Sequence, residues 1–237
     1  MKRESGFSLI EIMIVLVVLL IITGAIFSVI NLSTERSSTE QVKLDMFQEG
    51  REFMDQMSRD MRVAGYPSPR NMDKAVLTQN PIINDLHAAA GLVQVDTGDL
   101  WFEGDVDGSG TVSVVNYHLD TSTTSGCPCL KRSQLPKVNG NPLTGQTAAS
   151  YQVEVQGVQN TNIFTAYNNG TAVGLPVTIA SASGSTIAGV DTVQALLTLQ
   201  GATMDPKTHK KPVATLVTTG KLNNCSQAAI GSQLSCQ

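Results

Sequence analysis

Three groups of residues have the types and spacing to do chemistry. In Asp105-Val-Asp107-Gly-Ser109-Gly-Thr111-Val-Ser-Val-Val-Asn116, oxygen-bearing side chains recur at alternate positions. Set against a twelve-residue calcium loop, Asp105, Asp107 and Ser109 stand at positions one, three and five. Gly110 takes the turn at six, Thr111 offers its carbonyl at seven, and Asn116 falls at twelve, where a bidentate Glu belongs. Asn116 is therefore the weak ligand, and Glu103 is the nearby candidate to replace it. The competing reading is an Asp/Gly-rich β-turn.

The second group is Cys127, Cys129, Cys225 and Cys236. An even number of cysteines suits disulfides in an oxidising compartment, and three pairings are open. A zinc site is disfavoured, because Cys-Pro-Cys lacks the two-residue spacer of zinc motifs and no His is close. The third group is a lone carboxylate, Glu11, the single charge in residues 7–30. A carboxylate in such a segment costs about 2.5 to 3.5 kcal/mol on insertion scales, so it needs a partner. The α-amino group of Phe7 lies one helical turn before it, and becomes available if the chain is cut after Gly6.

No enzyme signature appears. The chain has no His-Glu-x-x-His, no Gly-x-Ser-x-Gly and no phosphate-binding loop, since Gly220-Lys221 lacks the upstream glycine. His87, His118 and His209 are isolated and read as structural or surface residues. Lys207, His209, Lys210 and Lys211 form one basic patch between Pro206 and Pro212, read as a solvated loop. With 16 Lys and Arg against 20 Asp and Glu in 237 residues, the net charge of −4 leaves no positive surplus for nucleic acid. The cofactor suggested by the residues is Ca²⁺ alone.

The elements that carry these groups follow from hydropathy. Residues 7–30 are apolar and helix-compatible, roughly 36 Å long as a helix, against about 30 Å of bilayer hydrocarbon. Lys2 and Arg3 precede this span and the next basic residue is Arg36, which puts the N-terminus in the cytoplasm and residues 31–237 on the periplasmic or extracellular side. A cleavable secretory signal ending near Thr23-Gly24-Ala25 is the alternative, and Glu11 argues against it. Beyond Ile30 no Pro intervenes before Pro67. Val42, Met46, Phe53, Met54, Met57, Met61 and Ala64 form an amphipathic stripe, Asp55 and Arg59 sit four apart, and Gly65, Pro67 and Pro69 end the helix. One helix of roughly 85 to 90 Å is expected, with the apolar half at 7–30 and an amphipathic spine at 31–65.

Residues 67–91 read as a connector with a helical turn near 85–90, and residues 92–237 as a β-rich domain. Strands are expected at 92–95, 100–102, 111–119, 151–158, 163–167, 190–199 and 212–219. The alternations Val153, Val155 and Val193, Leu197, Leu199 imply an antiparallel sheet with one face buried on the helix. The tracts at 121–125 and 180–186 read as exposed loops. The fold class is α+β: a long N-terminal helix packed on an antiparallel β-sheet domain.

Gly6-Phe7-Ser8-Leu9-Ile10-Glu11, after a short basic leader and before an unbroken apolar run, resembles the type IV prepilin signature. The resemblance implies a pilin-like fold, removal of leader 1–6 by prepilin peptidase, methylation of Phe7, and pairing of Glu11 with a neighbouring subunit's amine during assembly. Gln48-Glu49-Gly50-Arg51, with Arg59-Asp60-Met61-Arg62 and Ala64-Gly65-Tyr66, resembles PilW-like minor pilins and the related J-type minor pseudopilins of type II secretion. Together the two resemblances cover the first 66 residues. They imply other pilins as partners along helix 7–65, with membrane lipid and the inner-membrane assembly platform before assembly, and a place in pilus initiation or at the tip, later on the cell surface. Pairing Cys225 with Cys236 would resemble the C-terminal disulfide region of many pilins. A secretion pseudopilus subunit and an adhesin or DNA-uptake tip module are the alternatives.

Overall fold

The computed structural model of the protein describes residues 8–69, 72–73, 75–123, 126–146, 149–179, 184–205 and 208–224. One helix, α1 (Leu9–Val63), runs roughly 80 Å. It persists through the apolar-to-polar boundary because no Pro interrupts it, and its threonine hydroxyls bond back to carbonyls four residues earlier. Thr23 donates to the Leu19 carbonyl at 2.7 Å, and Thr34 to that of Ile30 at 2.9 Å. It ends where the sequence requires: Ala64 leaves the helix, and Gly65 takes a positive φ of 82°, which favours glycine.

The two halves of α1 differ in what covers them. Every described side chain from Ser8 to Ser38 is exposed. Burial starts at Thr39 and continues through Met46, Gly50, Phe53, Met54, Met57, Asp60 and Met61, the expected stripe at three- and four-residue intervals. At Gly50 the lack of a side chain lets the Leu199 and Leu216 methyls lie against the helix, where a Cβ would collide with both.

That stripe packs on two antiparallel sheets. The first holds β1 (Leu92–Val95), β2 (Asp99–Gly104), β3 (Ser113–Asp120), β4 (Cys129–Pro136), β5 (Tyr151–Gln156) and β8 (Val177–Thr178), in the order β5-β4-β3-β2-β1-β8. The second holds β6 (Phe164–Asn168), β7 (Thr171–Ala172), β9 (Thr192–Gln200) and β10 (Val213–Lys221), in the order β10-β9-β6-β7. A five-residue helix, α2 (Gly184–Ala188), lies between β8 and β9. A bridge from Val158 to Leu199 and the bond from Gln159 N–H to the Thr198 carbonyl, 2.7 Å, join the two sheets. One apolar cluster, including Met57, Met61, Phe102, Tyr117, Phe164 and Leu197, serves the helix and both sheets. The chain is thus an α+β, pilin-like fold.

The structure corrects several sequence expectations. A single sheet was expected where there are two. Strand β4 lies where no strand was expected, and α2 overlaps the tract at 180–186, whose residues 180–183 lie outside the described ones. The connector's turn is a 3-10 helix at Ile82–Asn84 instead of 85–90. Val155 is buried as expected, but Val153 is exposed, because a bulge in the β4–β5 pairing between Leu130 and Lys131 turns the rest of β5 over.

The end of α1 is sewn to the end of β2. Ala64 bridges Gly104, Gly65 N–H donates to the Glu103 carbonyl, and Asp105 N–H donates to the Tyr66 carbonyl, both at 2.8 Å. Gly104 permits this approach, since a Cβ there would stand 2.6 Å from the Val63 carbonyl oxygen. Gly104→Ala is expected to destabilise the detergent-solubilised protein by about 1 to 3 kcal/mol in chemical denaturation. An unchanged midpoint would show that the seam tolerates a methyl group.

Candidate functional site

The apolar half of α1 is the feature with no internal purpose. Its aliphatic side chains, from Leu9 (78% exposed) to Ile30 (51% exposed), touch nothing that removes them from solvent. An eighteen-residue window of the helix has mean hydropathy 3.1 and none of it is buried in the protein. Glu11 lies in the first turn among Leu9, Ile10, Ile12 and Met13, all exposed, and has no ion-pair partner among the described residues. Gly6 and Phe7 lie outside the described residues, so the structure locates the carboxylate and leaves the processing site untouched.

The other half of α1 is tied to the β domain by a polar network that sequence reasoning missed. Asp60, inside the stripe and 1% exposed, accepts from the Tyr117 hydroxyl at 2.6 Å. It also accepts from Arg132 Nε at 3.1 Å and Nη2 at 3.0 Å, and from Gln56 Nε2 at 2.7 Å. Desolvation, with Asp60 beside it, holds the Tyr117 phenol well above its ordinary range. Burial would lower the Arg132 pKa, but its contacts with Tyr117 and Asp60 outweigh that and raise it. Phe53 meets the Tyr117 ring edge-on at 5.4 Å. The expected Asp55–Arg59 pair gives way to an Arg59–Gln56 bond at 3.0 Å on the exposed face.

A second buried pair fastens the connector. Lys137 donates to Glu103 Oε2 at 2.6 Å and to the carbonyls of Ile83 and Ala88, both at 2.7 Å. Burial pushes Glu103 up and Lys137 down, yet three oxygens around Nζ complement an ammonium group. This removes Glu103 as a replacement calcium ligand. Asn116 is corrected as well: it sits in β3 opposite Trp101, and its Oδ1 is buried without a partner. A strand residue paired there cannot fold back onto the β2–β3 turn. Asp105, Asp107, Ser109 and Thr111 do stay together in that turn. Gly110 N–H donates to Asp105 Oδ2 at 3.0 Å, Ser109 N–H to Asp107 Oδ1 at 3.0 Å, and the Ser109 and Thr111 hydroxyls lie 2.6 Å apart.

Cys127 and Cys129 are bonded to each other, while Cys225 and Cys236 lie outside the described residues. The ligand atoms of Asp120, Cys127 and Cys129 lie within 4.8 Å of one another, and Asp120 also bonds Lys131 Nζ at 2.6 Å. Two of the histidines, read as structural or surface residues, each meet a carboxylate. His118 Nδ1 is 2.6 Å from Asp99, and His87 Nδ1 is 2.8 Å from Asp85. His209, Lys210 and Lys211 are exposed, and Lys207 lies outside the described residues.

Residues 1–27 match the family model described as the prokaryotic N-terminal methylation motif. No curated protein and no solved structure matches the chain. The motif, on an apolar helix that leads into an α+β domain, supports a protein of the type IV pilin or pseudopilin class, anchored in a membrane.

Two measurements probe the networks. Asp60→Ala strands the Arg132 guanidinium and the Tyr117 hydroxyl, and is expected to cost about 3 to 5 kcal/mol of stability; Asp55→Ala, on the exposed face, should stay within about 0.5 kcal/mol. Equal losses in urea titrations would remove Asp60 from its docking role. Burial alone would raise the Asp85 pKa, but the His87 amide and ring and the amides of Thr78 and Gln79 outweigh it and hold the carboxyl at about 2. Against an ordinary value of 3.8, its contribution is full above about pH 4 and is lost as pH falls through about 2. Asp85→Asn should flatten that part of an acid-unfolding curve.

Proposed function

We propose that this protein is a minor subunit of a type IV pilus, cut after Gly6, methylated on Phe7 and assembled through α1, with a place in pilus initiation or at the tip. The observation that carries the reading is the wholly exposed apolar half of α1 joined without a break to a half buried in its own domain. Such a rod requires lipid before assembly and other helices afterwards. The lone carboxylate at Glu11 fits an amine from a neighbouring subunit, which supplies charge neutralisation only in the correct axial register. The minor-pilin assignment rests on the likeness of residues 47–66 to PilW-like sequences.

In this reading the N-terminus is cytoplasmic and the β domain periplasmic while the subunit waits in the inner membrane. Its partners are prepilin peptidase, the assembly platform and other pilins along 7–65. It works by association and performs no catalysis. Replacing Gly6 with a bulky residue should leave an unprocessed precursor in the membrane fraction. Glu11→Ala should give a processed, folded protein that is depleted about tenfold or more from sheared pili, the equivalent of about 1.4 kcal/mol. Normal incorporation of either variant on immunoblots of pilus preparations would defeat the reading, and so would a subunit confined to cells that still build normal pili without it.

A further inference from the structure

The β2–β3 turn contains a carboxylate oxygen with nothing to neutralise it. Asp105 is 7% exposed, and its Oδ1 is buried with no hydrogen-bond partner. Its Oδ2 points across the turn to the Gly110 N–H. The Asp107 carboxylate lies in interaction range of the Asp105 carboxylate, and Asp107 Oδ1 accepts from the Ser109 N–H at 3.0 Å. Ser109 in turn touches the Thr111 hydroxyl. Oxygens from alternate residues 105, 107, 109 and 111 therefore form one connected group at a single turn, with Gly108 and Gly110 at positive φ, 69° and 82°.

A buried, unpartnered carboxylate oxygen beside a second negative charge is unfavourable in a protein alone. A cation satisfies both. The donors are all oxygen, which selects a hard ion, and a turn of mixed carboxylate and hydroxyl ligands suits the loose geometry of calcium better than the strict octahedron of magnesium. We propose that this turn binds one Ca²⁺ through Asp105, Asp107, Ser109 and Thr111, with water completing the shell. Asn116 and Glu103 are excluded by their places in the fold, so the site lacks a bidentate carboxylate. It belongs with weak extracellular modules, at a Kd of roughly 10⁻⁴ to 10⁻³ M.

The position of the turn gives the ion a consequence. Asp105 donates its N–H to the Tyr66 carbonyl, next to the Ala64–Gly104 bridge that closes the end of α1 on the sheet. Calcium bound here fastens the β domain to its helix in the exported compartment. The proposal rests on the residues of this turn and not on the pilus reading.

The test is calorimetric titration of the full-length protein in detergent with calcium chloride, and separately with magnesium chloride. One saturable calcium site in that Kd range is expected, with affinity falling about tenfold or more in Asp105→Asn and in Asp107→Asn. Asp107→Asn alters an exposed side chain, and an unchanged circular dichroism spectrum in EDTA checks its fold. Calcium should also raise the Tm of the wild type over its value in EDTA, and not that of Asp107→Asn. Absence of saturable calcium binding, binding unaffected by both substitutions, or equal binding of magnesium would each overturn the proposal.

Discussion

The structure depends on one constraint: a helix whose first half cannot remain in water is continuous with a second half that cannot leave its own domain. The apolar residues from Leu9 to Ile30 bury nothing within the chain. At roughly 25 cal/mol for each Å² of apolar surface, leaving that rod in water is prohibitive, so its environment is lipid or other helices. The second half carries Met46 through Met61 into the core. Any force on the rod is therefore transmitted to the β domain through packed side chains, without a flexible linker between them.

That transmission has identifiable fasteners. Asp60 carries a charge on the buried face of α1 and meets Arg132 and Tyr117 from the first sheet. Gly50 admits Leu199 and Leu216 from the second sheet. At the end of the helix, backbone bonds from Gly65 and Asp105 close the seam with β2. Two sheets and one helix thus share one core, and the buried Lys137–Glu103 pair extends that fixation to the connector through the carbonyls of Ile83 and Ala88.

Much of this was legible in the sequence because it rests on hydropathy and turn chemistry. The apolar run, the Met-rich stripe and the Gly65–Pro67 stop give the helix to within a few residues of Leu9–Val63, and most strands follow from Val- and Thr-rich runs between turns. What escaped depends on charges that find partners far away in the chain. Strand β4 escaped because it contains Lys131, Arg132 and Gln134, yet its two charges are met by Asp120 and Asp60. Nothing local marks Asp60 as a buried charge, for the same reason. At the candidate calcium turn, local spacing identified Asp105, Asp107, Ser109 and Thr111 but not the fate of Asn116 and Glu103, which strand pairing and a distant lysine decide. Glu11 stood out because a charge among aliphatics is visible without any fold.

The proposed role of α1 as an assembly rod matured at its start leaves its record in the mass of the intact protein isolated from its native membrane. The mass should correspond to a chain that begins at Phe7, bears one added methyl group and retains the whole rod. A mass that includes Met1–Gly6, or one that lacks the apolar segment, would contradict it.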